Sequence, residues 1–300
     1  MKFGDASPAQ VRAMCTDLQA DPSINASVLR GIASHAPNVY VGCPIWSEKT
    51  WRDILYAPSL ASDQMLGQYA QQFNTVEVNS THYAVPSDAV FDTWRNAVPD
   101  HFRFCPKFPK QISHDAALLG VSHITAHFLK QIHRLGPKLG TPFLQMGQEF
   151  GPAQGASLID YVRDLPLPIA VEVRHPSWFE PRYLQRLCER LQPRGHSLVI
   201  SDTAGRRDAV HMALSSPAAM IRFQSYDVNP VDSDRIDAWA QRVQGWLAQG
   251  LQTLYVFAHS EVVPTMPRLG RQWVQALNPL LPDPMHVPEV HILAKQQGLF

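Results

Sequence analysis

The sequence predicts an α/β protein of the (β/α)8 TIM-barrel type, preceded by an N-terminal helical extension. Three observations lead there. Eight short apolar, mostly β-branched runs recur at 38–42, 74–79, 102–107, 141–146, 168–174, 197–202, 218–224 and 252–259, as strands of a buried parallel sheet should. Amphipathic segments at 62–72, 87–97, 122–136, 155–163, 179–192, 233–249 and 267–278 fill most of the gaps, with apolar residues at helical spacing. No glycine-rich phosphate loop follows the first run, which argues against an open doubly wound sheet. A chain of 300 residues is a common size for one such barrel.

In chain order, residues 1–37 form the helical extension, 38–281 the barrel and 282–300 a polar, proline-containing tail. Val11, Met14, Cys15 and Leu18 set a helical pattern in the extension, and Pro22 and Pro37 punctuate it. The connection 203–217 is too short for a long helix with loops and should hold a turn or two.

Lys plus Arg and Asp plus Glu each total 26, and the formal net charge is zero. That balance excludes broad adhesion to nucleic acid or acidic membranes and leaves room for a local basic site. There is no apolar leader core and no run long enough to span a bilayer. Cys15, Cys43, Cys105 and Cys188 are widely spaced without a C-x-x-C pair, as in reduced, cytoplasmic proteins. A cytoplasmic protein without a membrane partner is expected.

In 74–79 Val76 and Val78 alternate with Glu77 and Asn79. A strand of this period sends its valines to the helices and Glu77 toward the barrel axis, near the C-terminal end where such barrels keep their chemistry. The same parity directs Arg103 and Lys107, Gln145, Glu172 and Arg174, Asp202, Arg222 and Gln224, and His259 inward. Buried charges must be paired or used. Lys107, Arg174 and Arg222 are candidates to hold an anion such as a phosphate. Glu77, Glu172 and Asp202 are the candidate catalytic carboxylates for proton transfer. Asn79, Gln145 and His259 complete the ligand-binding set, with Trp46, Tyr83, His114, His175 and Trp178 at the rim. A structural ion-pair network inside the barrel is the alternative, and each rim aromatic or histidine has a packing or capping alternative. Cys43 and Cys105 read as core thiols. Glu77, Glu172, Asp202, His259 and Glu261 are types that ligate divalent metals, but the three cations oppose a metal, so none is assigned and the cofactor stays open.

These residues also form a family pattern. Val41-Gly42 with Trp46 and Trp51, 73–81 with Tyr83 and Pro86, 102–107 with 112–114, and 171–178 occur in order. Over residues 38–280 the chain resembles the YecE-like family, domain of unknown function 72. The resemblance implies a TIM-type barrel and little chemistry. It relates the chain loosely to sugar-isomerase-like and apurinic-endonuclease-like barrels, which are metal enzymes, by analogy. Many members end the seventh strand in His-Gly and the eighth in Asn-Asn. Gln224-Ser225 and Ala258-His259 stand here, which resembles the YecE branch, so no family role is carried over at those two ends. The extension lies outside the family pattern.

The chain closes on Gln296-Gln-Gly-Leu-Phe300, which resembles the peptide that docks bacterial replication and repair proteins on the DNA sliding clamp. Gln296 would hydrogen-bond while Leu299 and Phe300 fill an apolar pocket; the alternative is that both fold back onto the barrel. The functional expectation is an enzyme, a hydrolase or isomerase, binding an anionic small molecule or nucleic-acid phosphate at the C-terminal rim. The alternatives are a clamp-associated, metal-dependent nucleic-acid-processing protein and a non-catalytic binding barrel.

Overall fold

The computed structural model describes residues 4–31, 35–227 and 230–291. The strands are β1 (Asn38–Cys43), β2 (Thr75–Val78), β3 (Arg103–Pro106), β4 (Phe143–Gln145), β5 (Ala170–Glu172), β6 (Ser197–Asp202), β7 (Ala218–Ser225) and β8 (Thr253–Ser260). They pair in parallel in the order β3-β2-β1-β8-β7-β6-β5-β4. Parallel bridges Phe104↔Leu139 and Lys107↔Phe143 join the two ends, and the Phe108 amide donates to the Phe143 carbonyl at 2.9 Å. The sheet is a (β/α)8 TIM-type barrel, and each expected strand is present.

The helices are α1 (Pro8–Ala13), α2 (Asn25–Val28), α3 (Met65–Gln72), α4 (Ser80–Tyr83), α5 (Asp88–Ala97), α6 (Ser122–Ile132), α7 (Gly155–Arg163), α8 (Pro181–Leu191), α9 (Val231–Ala248) and α10 (Met266–Leu277). Helix α8 shows why these segments fold as they do. Pro181 opens it, where a missing N–H costs nothing, and Leu184, Leu187, Cys188 and Leu191 form one buried stripe. The segment 122–136 ends as an α-helix at Ile132, earlier than its apolar pattern suggests. Gly136, at φ 57°, and Pro137 follow in a tighter 3-10 segment, and proline breaks the helical hydrogen-bond ladder. The connection 203–217 holds one short turn, Arg207–Ala209.

Strand parity sorts the core into two kinds. Val76 and Val78 belong to the outer layer between sheet and helices. Cys105, Phe143, Ala170, Val199, Met220, Tyr255 and Phe257 fill the inside of the barrel. Gly42 allows β1 and β2 to approach closely: a Cβ there would lie 1.9 Å from the Thr75 carbonyl oxygen. Tyr69 of α3 seals the junction, accepting from the Cys43 amide at 2.7 Å and donating to the Thr75 carbonyl at 2.9 Å.

In the extension, α1 starts at a capping box made by Ser7 and Gln10 and stops at Ala13. Cys15 is exposed, and of the four residues that set the helical pattern Val11 alone is fully buried. Beyond it the chain is tied to α9: Asp21 pairs with Arg242 and accepts from the Trp246 indole at 3.0 Å. After α10 the chain runs back along the barrel, where the Glu289 amide donates to Gln72 and the His291 amide to the Ile54 carbonyl. Gln296, Leu299 and Phe300 lie outside the described residues.

Candidate functional site

Inward parity ends in charge at the C-terminal mouth. Phe143 of β4 forms the floor, with Arg222 Cζ at 5.4 Å and Lys107 Nζ at 5.9 Å from its ring centroid. Arg222 of β7 grips Glu77 of β2 with two hydrogen bonds, Nε to Oε2 at 2.9 Å and Nη2 to Oε1 at 2.8 Å. Its Nη1 donates to Glu172 Oε2 at 2.7 Å. Glu172 Oε1 accepts from Arg174 Nε at 2.7 Å and from Ser201 Oγ at 3.1 Å. Asn79 Nδ2 donates to Glu77 Oε1 at 2.8 Å and to the Pro44 carbonyl at 3.2 Å, and His259 Nε2 lies 3.2 Å from Glu77 Oε2. Lys107 Nζ donates to Gln145 Oε1 at 2.9 Å. Six strands thus bring Glu77, Gln145, Glu172, Ser201, Arg222 and His259 together, and Lys107, Arg174 and Asn79 join them from just past the ends of β3, β5 and β2.

The electrostatics follow from this packing. Burial favours a protonated Glu77, but the charges of Arg222 and His259 and their hydrogen bonds outweigh it and hold the carboxyl well below the usual range. Glu172 is likewise buried, yet Arg174, Arg222 and Lys107 pull it down to about 2. Both are therefore anions at neutral pH, saturated with donors. Lys107 differs. Burial, reinforced by Arg222 and Arg174 and opposed by the two carboxylates, pushes its amine down to about 8. Among the described residues no carboxylate lies within ion-pair distance of its Nζ. Burial pushes His259 down as well, against the pull of Glu77.

A second set of rings borders the cluster. His114 sits on a π-helical turn, Gln111–Asp115, and its Nδ1 is 2.7 Å from Ser113 Oγ. Its ring meets His82 edge-on at 5.2 Å, and His82 meets Tyr83 at 5.3 Å. His82 Nδ1 lies 2.8 Å from the Phe108 carbonyl. A carbonyl can only accept, so this contact fixes the Nδ1–H tautomer and leaves Nε2 with its lone pair. Burial, and after it the Lys107 charge, lower both imidazoles, His82 to about 4. No sequence pattern singles out His82 or Ser201. His82 follows Asn79 by one short turn, and Ser201 lies two residues from Val199 on the inward face.

Other expected residues are placed elsewhere. Asp202 faces away from the barrel axis, because it shares the parity of Leu198 and Ile200. It is locked under α9 by Arg235 Nη2 at 2.7 Å and the Trp239 indole at 2.6 Å, and it pairs with Arg207. The inward orientation expected of it is thus corrected, and Asp202 stands outside the cluster at the mouth. Trp178 is buried, its indole bonded to the Phe150 carbonyl at 2.7 Å. His175 caps its own turn by accepting from the Ser177 amide at 3.2 Å. Trp46 packs edge-on against Trp94 at 5.2 Å. Tyr83 is 81% exposed and touches the site through His82. Among the described residues, no three His, Cys, Asp or Glu side chains are grouped so as to hold a metal ion, and no helix is long and apolar enough to cross a membrane.

This barrel and its motifs match a known family. The family model described as "Protein of unknown function DUF72" matches residues 40–289. The chain belongs to the DUF72 family. It is 32% identical over 283 residues to UPF0759 protein YecE of Escherichia coli K12, a match covering 87% of this chain and 100% of that protein. UPF0759 protein YunF of Bacillus subtilis is 23% identical over 166 residues, covering 52% of this chain and 58% of that one. A solved DUF72 protein from Enterococcus faecalis V583 superposes with a TM-score of 0.64 at 20% identity, covering 80% of this chain and 95% of that one. Another from Thermotoga maritima MSB8 gives 0.60 at 22%, covering 80% and 99%. At that identity the structural likeness shows the shared DUF72 barrel and nothing finer.

Proposed function

We propose that this DUF72 barrel is an enzyme that binds a small anionic, phosphate- or carboxylate-bearing ligand at its C-terminal mouth. The observation that supports this reading is the charge inventory of the cluster. Lys107, Arg174 and Arg222 face the two carboxylates of Glu77 and Glu172, and Lys107 has a neutral amide as its hydrogen-bond partner. A purely structural network would be expected to give each buried cation a carboxylate. Here the counter-charge for Lys107 is left to a ligand.

In this reading Glu77 and Glu172 hold the arginines in place. Carboxylates stabilised this far below neutrality are poor bases at pH 7. Proton handling falls instead to the neutral imidazoles of His82 and His114.

The test is calorimetric titration with inorganic phosphate and simple phosphate esters. Binding should weaken about tenfold or more, about 1.4 kcal/mol, in Arg174→Met and Lys107→Met, with the fold retained by circular dichroism. Unchanged binding in both variants would count decisively against the site.

A further inference from the structure

Lys107 is unusual in the cluster for what surrounds it. The residue is 6% exposed, and its ε-amine lies over the Phe143 ring and donates to Gln145 Oε1. Both carboxylates nearby are engaged by guanidinium groups. A lysine amine that is desolvated and set beside other cations, with its nearest carboxylates beyond ion-pair distance and held by arginines, is the arrangement that produces a nucleophilic amine. We propose that Lys107 is the nucleophile of this site, condensing through its ε-amine with the carbonyl of a small anionic aldehyde or ketone to form an imine. This rests on the anion-binding reading and names its substrate class.

The chemistry balances without a redox partner. The neutral amine attacks the carbonyl carbon, a C–N bond forms, and the carbonyl π pair moves to oxygen. Nitrogen loses a proton as that oxygen gains one, giving a carbinolamine. Protonation of the hydroxyl releases water as the nitrogen lone pair closes the C=N bond. The sum is amine plus carbonyl plus one proton giving iminium plus water. Arg174 and Arg222 would hold the anionic group of the substrate, and the free Nε2 of His82, with His114 beside it, is suited to relay the protons. The lowered amine pKa, about 8, supplies neutral amine near physiological pH.

The test is reductive trapping on the full-length protein. Wild type is incubated with sodium cyanoborohydride and pyruvate, glyoxylate or glyceraldehyde 3-phosphate, with acetone as the uncharged control, and mapped by mass spectrometry. The expected result is one reduced adduct at Lys107, formed at least about tenfold faster than at the exposed Lys110 or Lys130 and suppressed by inorganic phosphate. Which probe reacts distinguishes an oxo acid from a sugar phosphate. The initial rate should rise about tenfold per pH unit below about 8 and then level off. Lys107→Arg keeps the charge but has no primary amine and should form no adduct. Adducts spread over surface lysines, or phosphate binding with no adduct at Lys107, would overturn the nucleophile while leaving the anion site standing. Loss of phosphate binding as well would remove both.

Discussion

Arg222 holds Glu77 through two parallel hydrogen bonds, at 2.9 and 2.8 Å, across the barrel mouth, and spends its third nitrogen on Glu172. One guanidinium from β7 thus fixes carboxylates from β2 and β5, and their geometry sets where Arg174 and Asn79 can lie. Removing one member of such a buried set leaves uncompensated charge. Arg222→Met should therefore cost about 3–5 kcal/mol, read as a lowered midpoint in urea unfolding. A loss below about 1 kcal/mol would show that the network is solvated rather than sealed.

Asp202 makes an opposite case. It is fully buried and bonded to Arg235, Arg207 and Trp239 beneath α9, and these side-chain bonds point away from the mouth. Asp202→Ala should destabilise by a similar amount, about 3–5 kcal/mol, and leave phosphate affinity of the folded fraction unchanged. Selective loss of affinity at unchanged stability would return it to the site.

Acid should act through Glu172. Its folded pKa is depressed, from 4.5 to about 2, so it contributes stability above its unfolded pKa that is lost as pH falls through the folded one. Stability should decline from about pH 4.5 toward about pH 2. In Glu172→Gln that decline should be shallower, from a lower starting value, in urea titrations across the window. Equal slopes would mean that Glu172 is not an ionised partner of the arginines.

Gly42 tests the barrel frame. Its Cβ would meet the Thr75 carbonyl oxygen at 1.9 Å and the Tyr69 hydroxyl at 2.9 Å, so Gly42→Ala must push β1 from β2. A loss of about 1–3 kcal/mol is expected from overpacking, with the melting temperature as readout.

Much of this was legible in the sequence, for physical reasons. The alternation of Val76 and Val78 with Glu77 has one apolar parity, so inward and outward faces are distinct, and the same holds for Arg222 between Ile221 and Phe223. In β6, Leu198, Val199 and Ile200 are apolar on both faces, so periodicity does not tell whether Ser201 or Asp202 points inward. His82 was hidden because it lies on a short turn after β2 and comes beside Lys107 only when β2 and β3 pair. The fully buried pairing partners Arg235 and Trp239 come from α9, over thirty positions after Asp202, a contact no local pattern encodes.

The most direct test is a single variant read two ways. Lys107 has a folded pKa below its unfolded value, 10.5 lowered to about 8. A depressed lysine costs stability below the folded pKa, and the cost is relieved as pH rises from about 8 toward 10.5. At pH 7 the buried ammonium is a burden of up to about 3 kcal/mol. Lys107→Met should consequently melt at the same or a higher temperature than wild type at pH 7, and its melting temperature should no longer rise with added phosphate as that of wild type does. A variant that melts lower yet keeps the full phosphate-dependent rise would contradict the account, placing Lys107 in the frame of the barrel and the anion, if any, elsewhere.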